Sequence, residues 1–306
     1  MIDKLYNKAR NKKNKGKKWI FTYKFNKFLA VTLVPVVNYF QKKSGIDESG
    51  EIIVSLTTFP DRINIVWVTV STLLNQSIKP KKIILWLAND QFPDGEKSLP
   101  AKLIRLKKRG LEIRFCDNIA PHKKYYYTMK EYPDNVIVTV DDDMLYPESL
   151  LEQLWDKYVK HKDTVICQFA HKITYDKDGN INQYSKWESC YGESTNPSLQ
   201  IMAVGCGGVM YPPHVLDENL FNKEDINELC PYMDDLWLKA MEVLKGTKVM
   251  ICNEGSLIYF DMIGTRKSGL QHTNALLNKN DDAMNAIVSR YPEVQKKLYE
   301  DFKKAL

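Results

Sequence analysis

From residue 50 onward, short apolar runs alternate with segments whose apolar residues recur every three or four positions. The run IIVSL at 52–56 is apolar and largely β-branched, which predicts a strand buried on both faces, as in a parallel sheet. Within 62–76, Ile63, Val66, Val70, Leu73 and Leu74 fall on one helical stripe. KIILWL at 82–87 predicts a second strand, and 99–109 a basic amphipathic helix ended by Gly110. A third strand is expected at 111–115 and a helix at 123–132. VIVTV at 136–140 predicts a fourth strand that runs directly into Asp141, Asp142 and Asp143. Beyond it come a helix at 149–160, a strand at 165–169, a polar hairpin or loop region at 176–200, and the segment IMAVGCGGVMY at 201–211. A helix at 234–245, a strand at 248–252 and a helical tail at 282–305, broken before Pro292, complete the pattern. Strands that alternate with helices predict an α/β fold with a Rossmann-like, mostly parallel central sheet flanked by helices. Such sheets bind ligands beyond the carboxyl ends of their strands. The acidic triplet stands at that edge.

The first 45 residues follow another pattern. Residues 4–18 are rich in lysine, and 19–40 are aromatic and aliphatic. A membrane-spanning helix needs about 20 mostly apolar residues. Here Lys24 and Lys27 interrupt the apolar stretch, and Pro35 lies inside the uncharged run from Phe28 to Phe40. The reading adopted is an interfacial arm: lysines meet anionic headgroups while Trp19, Phe21, Tyr23, Phe25 and Phe28 enter the boundary region. A signal anchor, and a core-packing helix with a solvated basic tail, are the alternatives.

Composition sharpens this division. With 44% hydrophobic and 27% charged residues, the 306-residue chain has material for a sizeable core, which excludes a mainly disordered protein. The net charge is +6, but 1–45 carry +11, leaving −5 for the body. A weakly acidic body argues against a nucleic-acid partner. The six cysteines show no C-x-x-C and no zinc spacing, which favours a reducing cytoplasm. The five histidines form no H-x-H or H-E-x-x-H, arguing against a hydrolytic zinc site.

Alternate side chains of an extended segment share a face, so Asp141 and Asp143 are expected to point together. Two carboxylates at a strand end suit Mg²⁺ or Mn²⁺, which completes its shell with substrate phosphate oxygens. A solvated acidic turn is the plain alternative.

Four stretches together resemble the GT-A fold glycosyltransferases, bacterial family-2-like members with an Asp-x-Asp metal motif. They are IIVSLTTFPDRI (52–63), VTVDDDMLYP (138–147), GCGGVMYPP (205–213) and LCPYMDDLWLKAM (229–241), and the resemblance covers about 50–285. It implies a nucleoside diphosphate sugar as donor, most often a uridine one. It implies metal ligation by Asp141 and Asp143, with Asp142 in the metal-facing place in an alternative register. Thr57, Thr58 and Phe59 are expected to contact the base, Asp117 the uracil or ribose, and Lys124 or Lys123 a phosphate. Asp235 takes the place of the catalytic base and Asp234 that of an acceptor-binding residue, although an acidic pair there also caps a helix. Gly205, Gly207 and Gly208 permit a close approach to a sugar, and Trp187, Tyr191 and Trp237 are stacking candidates that fit a core role as well. In the late loop 264–274, Arg266 and Lys267 would close over the diphosphate and His272 would complete the metal site.

The expected organisation is an arm at 1–48, a catalytic domain at 49–262 and a C-terminal loop and tail at 263–306. The nucleotide-sugar half of the catalytic domain is 49–148 and the acceptor half 149–262. The expected activity is transfer, with inversion, of a sugar to a glycan or lipid-linked acceptor in cell-surface polysaccharide synthesis. The expected location is the cytoplasmic face of the inner membrane. A sugar-phosphate nucleotidylyltransferase is the competing enzyme class, but TTFPDR at 57–62 lacks the glycines of a phosphate-binding loop. A non-catalytic membrane-bound protein that retains the fold is the other alternative.

Overall fold

A computed structural model of the chain describes residues 2–9, 17–191, 196–252, 259–262 and 278–305. Two helices open it, α1 (Ile2–Ala9) and α2 (Lys17–Tyr39). The first α/β half contains β1 (Ile52–Thr57), α3 (Val66–Leu73), β2 (Lys82–Ala88), α4 (Ala101–Arg105), β3 (Leu111–Cys116), α5 (Lys123–Glu131) and β4 (Val136–Thr139). There follow β5 (Met144–Leu145), α6 (Leu150–Tyr158), β6 (Val165–Cys167), β7 (Phe169–Lys172), β8 (Glu188–Tyr191), β9 (Ile201–Ala203) and β10 (Val209–Tyr211). The chain continues through α7 (Lys223–Leu229), α8 (Asp234–Lys245), β11 (Val249–Ile251), β12 (Phe260–Asp261), α9 (Lys279–Arg290) and α10 (Pro292–Ala305).

The central sheet has seven strands in the order β11-β6-β10-β4-β1-β2-β3. Its neighbours are parallel except at β10, which runs antiparallel to β4 and β6. Strand β1 shows why its sequence is apolar on both faces apart from Ser55 and Thr57. Val54 and Leu56 face a core shared with α2, α3 and α6, while Ile53 faces one shared with α5, α8 and the C-terminal helices. The α/β class, the mostly parallel sheet, the flanking helices and the helical tail are as expected, and this is the architecture that the GT-A resemblance implies.

Some local expectations change. The strand expected at 165–169 is divided between two sheets. The buried Gln168 stands at the crossing and donates to Gln153 Oε1 at 3.1 Å. The segment 201–211 is divided too, by a 3₁₀ turn at Gly205–Gly207. The helix expected at 99–109 keeps α geometry only over Ala101–Arg105 before tightening, and Gly110 ends it at φ 111°.

The expected boundary at 48/49 does not separate two cores. Ile2, Tyr6, Ala30 and Val34 pack into the same core as β1 and α3. Helix α2 is long and apolar enough to cross a membrane, yet it lies along the body. Asn26, Ala30, Val34 and Asn38 form its buried face, and Lys27 pairs with Asp261 at 2.6 Å. Its other face leaves Phe21 71% and Phe28 59% exposed, with Phe25 beside them.

Helix α1 reaches the strands that follow the acidic triplet. The buried Tyr6 hydroxyl donates to the Leu145 carbonyl and accepts from the Phe260 N–H at 2.8 Å. Leu145 and Phe260 are direct partners in the β5–β12 pair, so the hydroxyl serves as a rung of that ladder. Tyr6→Phe leaves two buried backbone groups without a partner and should lower the unfolding free energy by about 1–3 kcal/mol. Chemical denaturation measures this, and an unchanged midpoint would contradict the bridging role.

Candidate active site

Strand pairing gathers the site at one sheet edge. Ser55 is paired with Thr139, so β1 and β4 run out together, into Thr57–Thr58 and Asp141–Asp143. Val209 of the antiparallel β10 also pairs with Thr139, which sets the Gly205–Gly207 turn beside the triplet. His122, at the start of α5, is fully buried. Its Nε2 donates to the Cys230 carbonyl at 2.8 Å, which leaves Nδ1 to accept from the Tyr125 hydroxyl at 2.8 Å. Burial pushes its pKa down to about 4, so it is neutral at pH 7. This contact ties the start of α5, which carries Lys124, to the turn that opens α8, which carries Asp234 and Asp235.

Lys124 is 5% exposed and stands between the two acidic groups. Its Nζ lies 3.0 Å from Asp141 Oδ1 and 2.6 Å from Asp234 Oδ2. Burial opposes its charge, but the carboxylates of Asp141, Asp234 and Asp235 outweigh it and hold its pKa well above the ordinary lysine value. Asp235 is half-buried and accepts from the Gly205 N–H at 3.1 Å. Burial and the neighbouring Asp234 push its pKa up to about 7, against the pull of Lys124. Gly205 has no room for a side chain. A Cβ there would lie 2.7 Å from Lys124 Nζ and 3.0 Å from Asp235 Oδ1.

A second cation serves the triplet. Arg62 Nη1 donates to Asp142 Oδ1 at 2.6 Å and lies 3.1 Å from Asp143 Oδ2. Burial disfavours its charge, but Asp142 and Asp143 raise its pKa. Asp142 is turned inward. It also accepts from the Thr58 hydroxyl, and its backbone carbonyl accepts from Thr69 Oγ1 at 2.8 Å. Asp142, given the metal-facing place in the alternative register, and Thr58, expected to contact the base, are thus engaged by the protein itself, because an acid buried to 5% exposure needs internal partners. Tyr146 pins the edge from behind. Its hydroxyl accepts from the Asp141 N–H at 2.9 Å and donates to the Cys206 carbonyl at 3.2 Å.

The remaining expected residues are spread along the edge. Thr57 Oγ1 donates to the Trp86 carbonyl at 2.8 Å, and the half-buried Phe59 ring stacks under Arg62 at 5.3 Å. Asp117 is exposed beyond β3 and pairs with Lys223 at 3.1 Å. It lies three strand steps from the triplet, a span of about 14 Å. Lys123 points away from the triplet and holds the Asn118 and Ala120 oxygens. Trp237 is fully buried, and Trp187 donates to the Asn182 carbonyl, so both serve the core. Of Tyr191, only the strand backbone is described. Gly207 packs against the Phe169 ring, and Gly208 adopts φ +85°. Arg266, Lys267 and His272 lie outside the described residues.

Sequence reading missed Arg62 and Tyr146. A signal for the arginine was present. Three adjacent acids after a buried strand require a counter-cation, and PDR follows the neighbouring strand.

Among the described residues no group of three or more His, Cys, Asp or Glu side chains is set to hold a metal ion. A Mg²⁺ or Mn²⁺ ion bound with a diphosphate needs only one or two protein carboxylates. Asp141, whose carboxylate is 32% exposed, and Asp143 have the oxygen chemistry for that.

No protein-family model matches the chain, and no curated protein sequence does. Among solved structures it is similar to S. aureus TarS residues 1–349, at 12% identity and TM-score 0.46, over 84% of this chain and 92% of that one. The same protein in complex with UDP matches at 12% identity and TM-score 0.47, over 83% and 71%. Its complex with UDP-GlcNAc matches at 12% identity and TM-score 0.40, over 68% and 57%.

Gly205→Ala forces the Lys124 ammonium or the Asp235 carboxylate aside. It should lower stability by about 1–3 kcal/mol, as overpacking does. Thermal and chemical denaturation measure this, and full wild-type stability would contradict the close approach.

Proposed function

We propose that this chain is a glycosyltransferase that moves a sugar from a nucleoside diphosphate sugar to a hydroxyl acceptor. The observation that carries the reading is the placement of Asp235. A carboxylate with a pKa of about 7 faces an acidic strand edge across a buried lysine. A base with that pKa holds a useful ionised fraction at neutral pH and still takes a proton well.

The donor lies along the strand ends. Its nucleoside sits toward Asp117 and Thr57, and its diphosphate toward Lys124, Asp141 and Asp143. The span of about 14 Å from β3 to β4 suits an extended nucleotide. The acceptor hydroxyl is held by Asp234 and gives its proton to Asp235 as its oxygen attacks the anomeric carbon. The new carbon–oxygen bond forms as the bond to the diphosphate breaks, and the diphosphate leaves with the electron pair. A single displacement of this kind inverts the anomeric centre. Lys124 meets the developing charge. Asp141 and Asp143 would hold a divalent ion, which supplies further charge stabilisation to the leaving group when bound. The uridine nucleotide is the donor favoured by the sequence resemblance, and Arg266, Lys267 and His272 retain their proposed roles over the diphosphate and metal.

The acceptor is a glycan or lipid-linked molecule of cell-surface polysaccharide synthesis. The support is the arm, where a basic segment leads into a helix whose outer face exposes Phe21, Phe25 and Phe28. Such a face suits the surface of an anionic leaflet, with the protein peripheral on the cytoplasmic side of the inner membrane. Residues 1–48 thereby act as membrane arm and as part of the core around the 49–262 unit, with 263–306 as loop and tail.

Asp235→Asn should abolish sugar transfer while donor binding stays within about threefold of wild type, since the base acts only on the attacking hydroxyl. In the wild-type enzyme, kcat/KM should fall as pH drops below about 7, where Asp235 takes up its proton. A panel of nucleotide sugars assayed with and without Mn²⁺ supplies the substrate. Turnover by the asparagine variant, or a rate flat from pH 5 to 8, would overturn the assignment.

A further inference from the structure

A cavity of about 390 Å³ lies between helix α2 and the body, away from Asp235 and Lys124. Ile2, Val34 and Val37 give it an apolar wall, while Asn38 and Asn75 add amides. Its charged lining is unbalanced, with Arg109, Lys79 and the exposed Lys43 against the one carboxylate of Glu148.

Arg109 is 5% exposed. Its Nε donates to the Lys43 carbonyl at 3.0 Å, and its Nη2 to the Leu74 carbonyl at 3.1 Å and Asn75 Oδ1 at 2.7 Å. Its Nη1 is buried and has no hydrogen-bond partner among the described residues. A guanidinium held on neutral oxygens, with one nitrogen unsatisfied, is costly unless an anion completes it. Lys79 is half-buried, and its only hydrogen bond described is a long one of 3.4 Å to the Leu74 carbonyl. Burial and the charge of Arg109 both lower its pKa, with Glu148 a weaker opposing influence. A buried and a half-buried cation that repel one another, the buried one short of an acceptor, make a preformed anion site.

The kind of anion follows from the donors. The one unsatisfied guanidinium nitrogen of Arg109, beside the ammonium point charge of Lys79, suits the oxygens of a tetrahedral phosphate. The cavity exceeds the needs of a bare anion. Most of its apolar wall belongs to α2, where Val37 is 41% and Val36 55% exposed, and Phe40, just beyond the helix, is 69% exposed. We propose that this cavity binds a phosphate group, either free or carried by an ester whose apolar part runs out along α2. A lipid headgroup and a free phosphate share that chemistry. The inference does not rest on the transfer reaction, because none of these residues takes part in it.

Calorimetry on the full chain tests it with three probes: inorganic phosphate, dihexanoyl phosphatidic acid below its micelle concentration, and uncharged dihexanoylglycerol. Saturable binding of the phosphate-bearing probes is expected, with the uncharged one excluded. Lys79→Gln and Arg109→Lys should each weaken it by about tenfold or more. The one hydrogen bond described for the Lys79 side chain is long, so the first variant separates binding from folding. Lys124→Met should leave this binding unchanged, which separates the cavity from the candidate active site. Tighter binding of phosphatidic acid than of phosphate identifies a lipid source, and equal binding identifies a free phosphate. No saturable binding of either, undiminished binding by both variants, or loss in Lys124→Met would overturn the proposal.

Discussion

The Lys124 ammonium holds apart and together the two acidic groups on which the site depends. Without it, Asp141 at the end of β4 and the Asp234–Asp235 pair at the start of α8 would meet as like charges in a poorly solvated space. With it, the lysine is fixed at 3.0 Å from one and 2.6 Å from another. The surrounding chain keeps that geometry. Gly205 makes room for it, His122 ties its helix to the Cys230 turn, and Tyr146 fixes the Asp141 backbone. Arg62 does the corresponding work for Asp142 and Asp143. Two cations among five carboxylates leave the edge net negative in its ionised form. That electrostatic state favours recruiting a divalent ion, while burial and Asp234 raise the Asp235 pKa to about 7.

The same economy extends to the amino-terminal helices. They lie on the core beside the site, and Tyr6 completes the β5–β12 ladder that directly follows the triplet. Met262 at the end of that ladder donates to the Asp143 carbonyl at 2.8 Å. Any surface that holds the outer face of α2 therefore bears on the strand pair behind the acidic triplet. The cationic cavity under α2 lies along this route, since Tyr146 is one of its walls.

Much of this was legible in the sequence, for physical reasons that differ by element. The parallel strands are apolar on both faces, so 52–56, 82–87 and 136–140 announce themselves, and the strand rule then puts Asp141 at the ligand edge. The acidic pair was legible because it opens an amphipathic helix. What stayed hidden depends on contacts distant in sequence. Nothing local says that Asp142 turns inward, since its partners Thr58 and Arg62 lie some 80 residues away. Phase alone put Asp141 and Asp143 together but could not say that each would share an oxygen with a cation. The arm was read as interfacial, with a core-packing helix as an alternative, because its lysines and aromatics look the same whether a helix lies on lipid or on protein; the small or polar residues Asn26, Ala30 and Asn38, spaced along one face, are the hint of the latter.

The central claim is that Lys124 restrains the rise that burial and Asp234 impose on the Asp235 pKa. Carbon-13 NMR titration of the Asp235 carboxyl, in the wild-type protein and in Lys124→Met, tests it most directly. A midpoint near 7 in the wild type, displaced upward once the ammonium is gone, is the predicted result. A midpoint near the ordinary aspartate value, or one that does not move in the variant, would contradict the account.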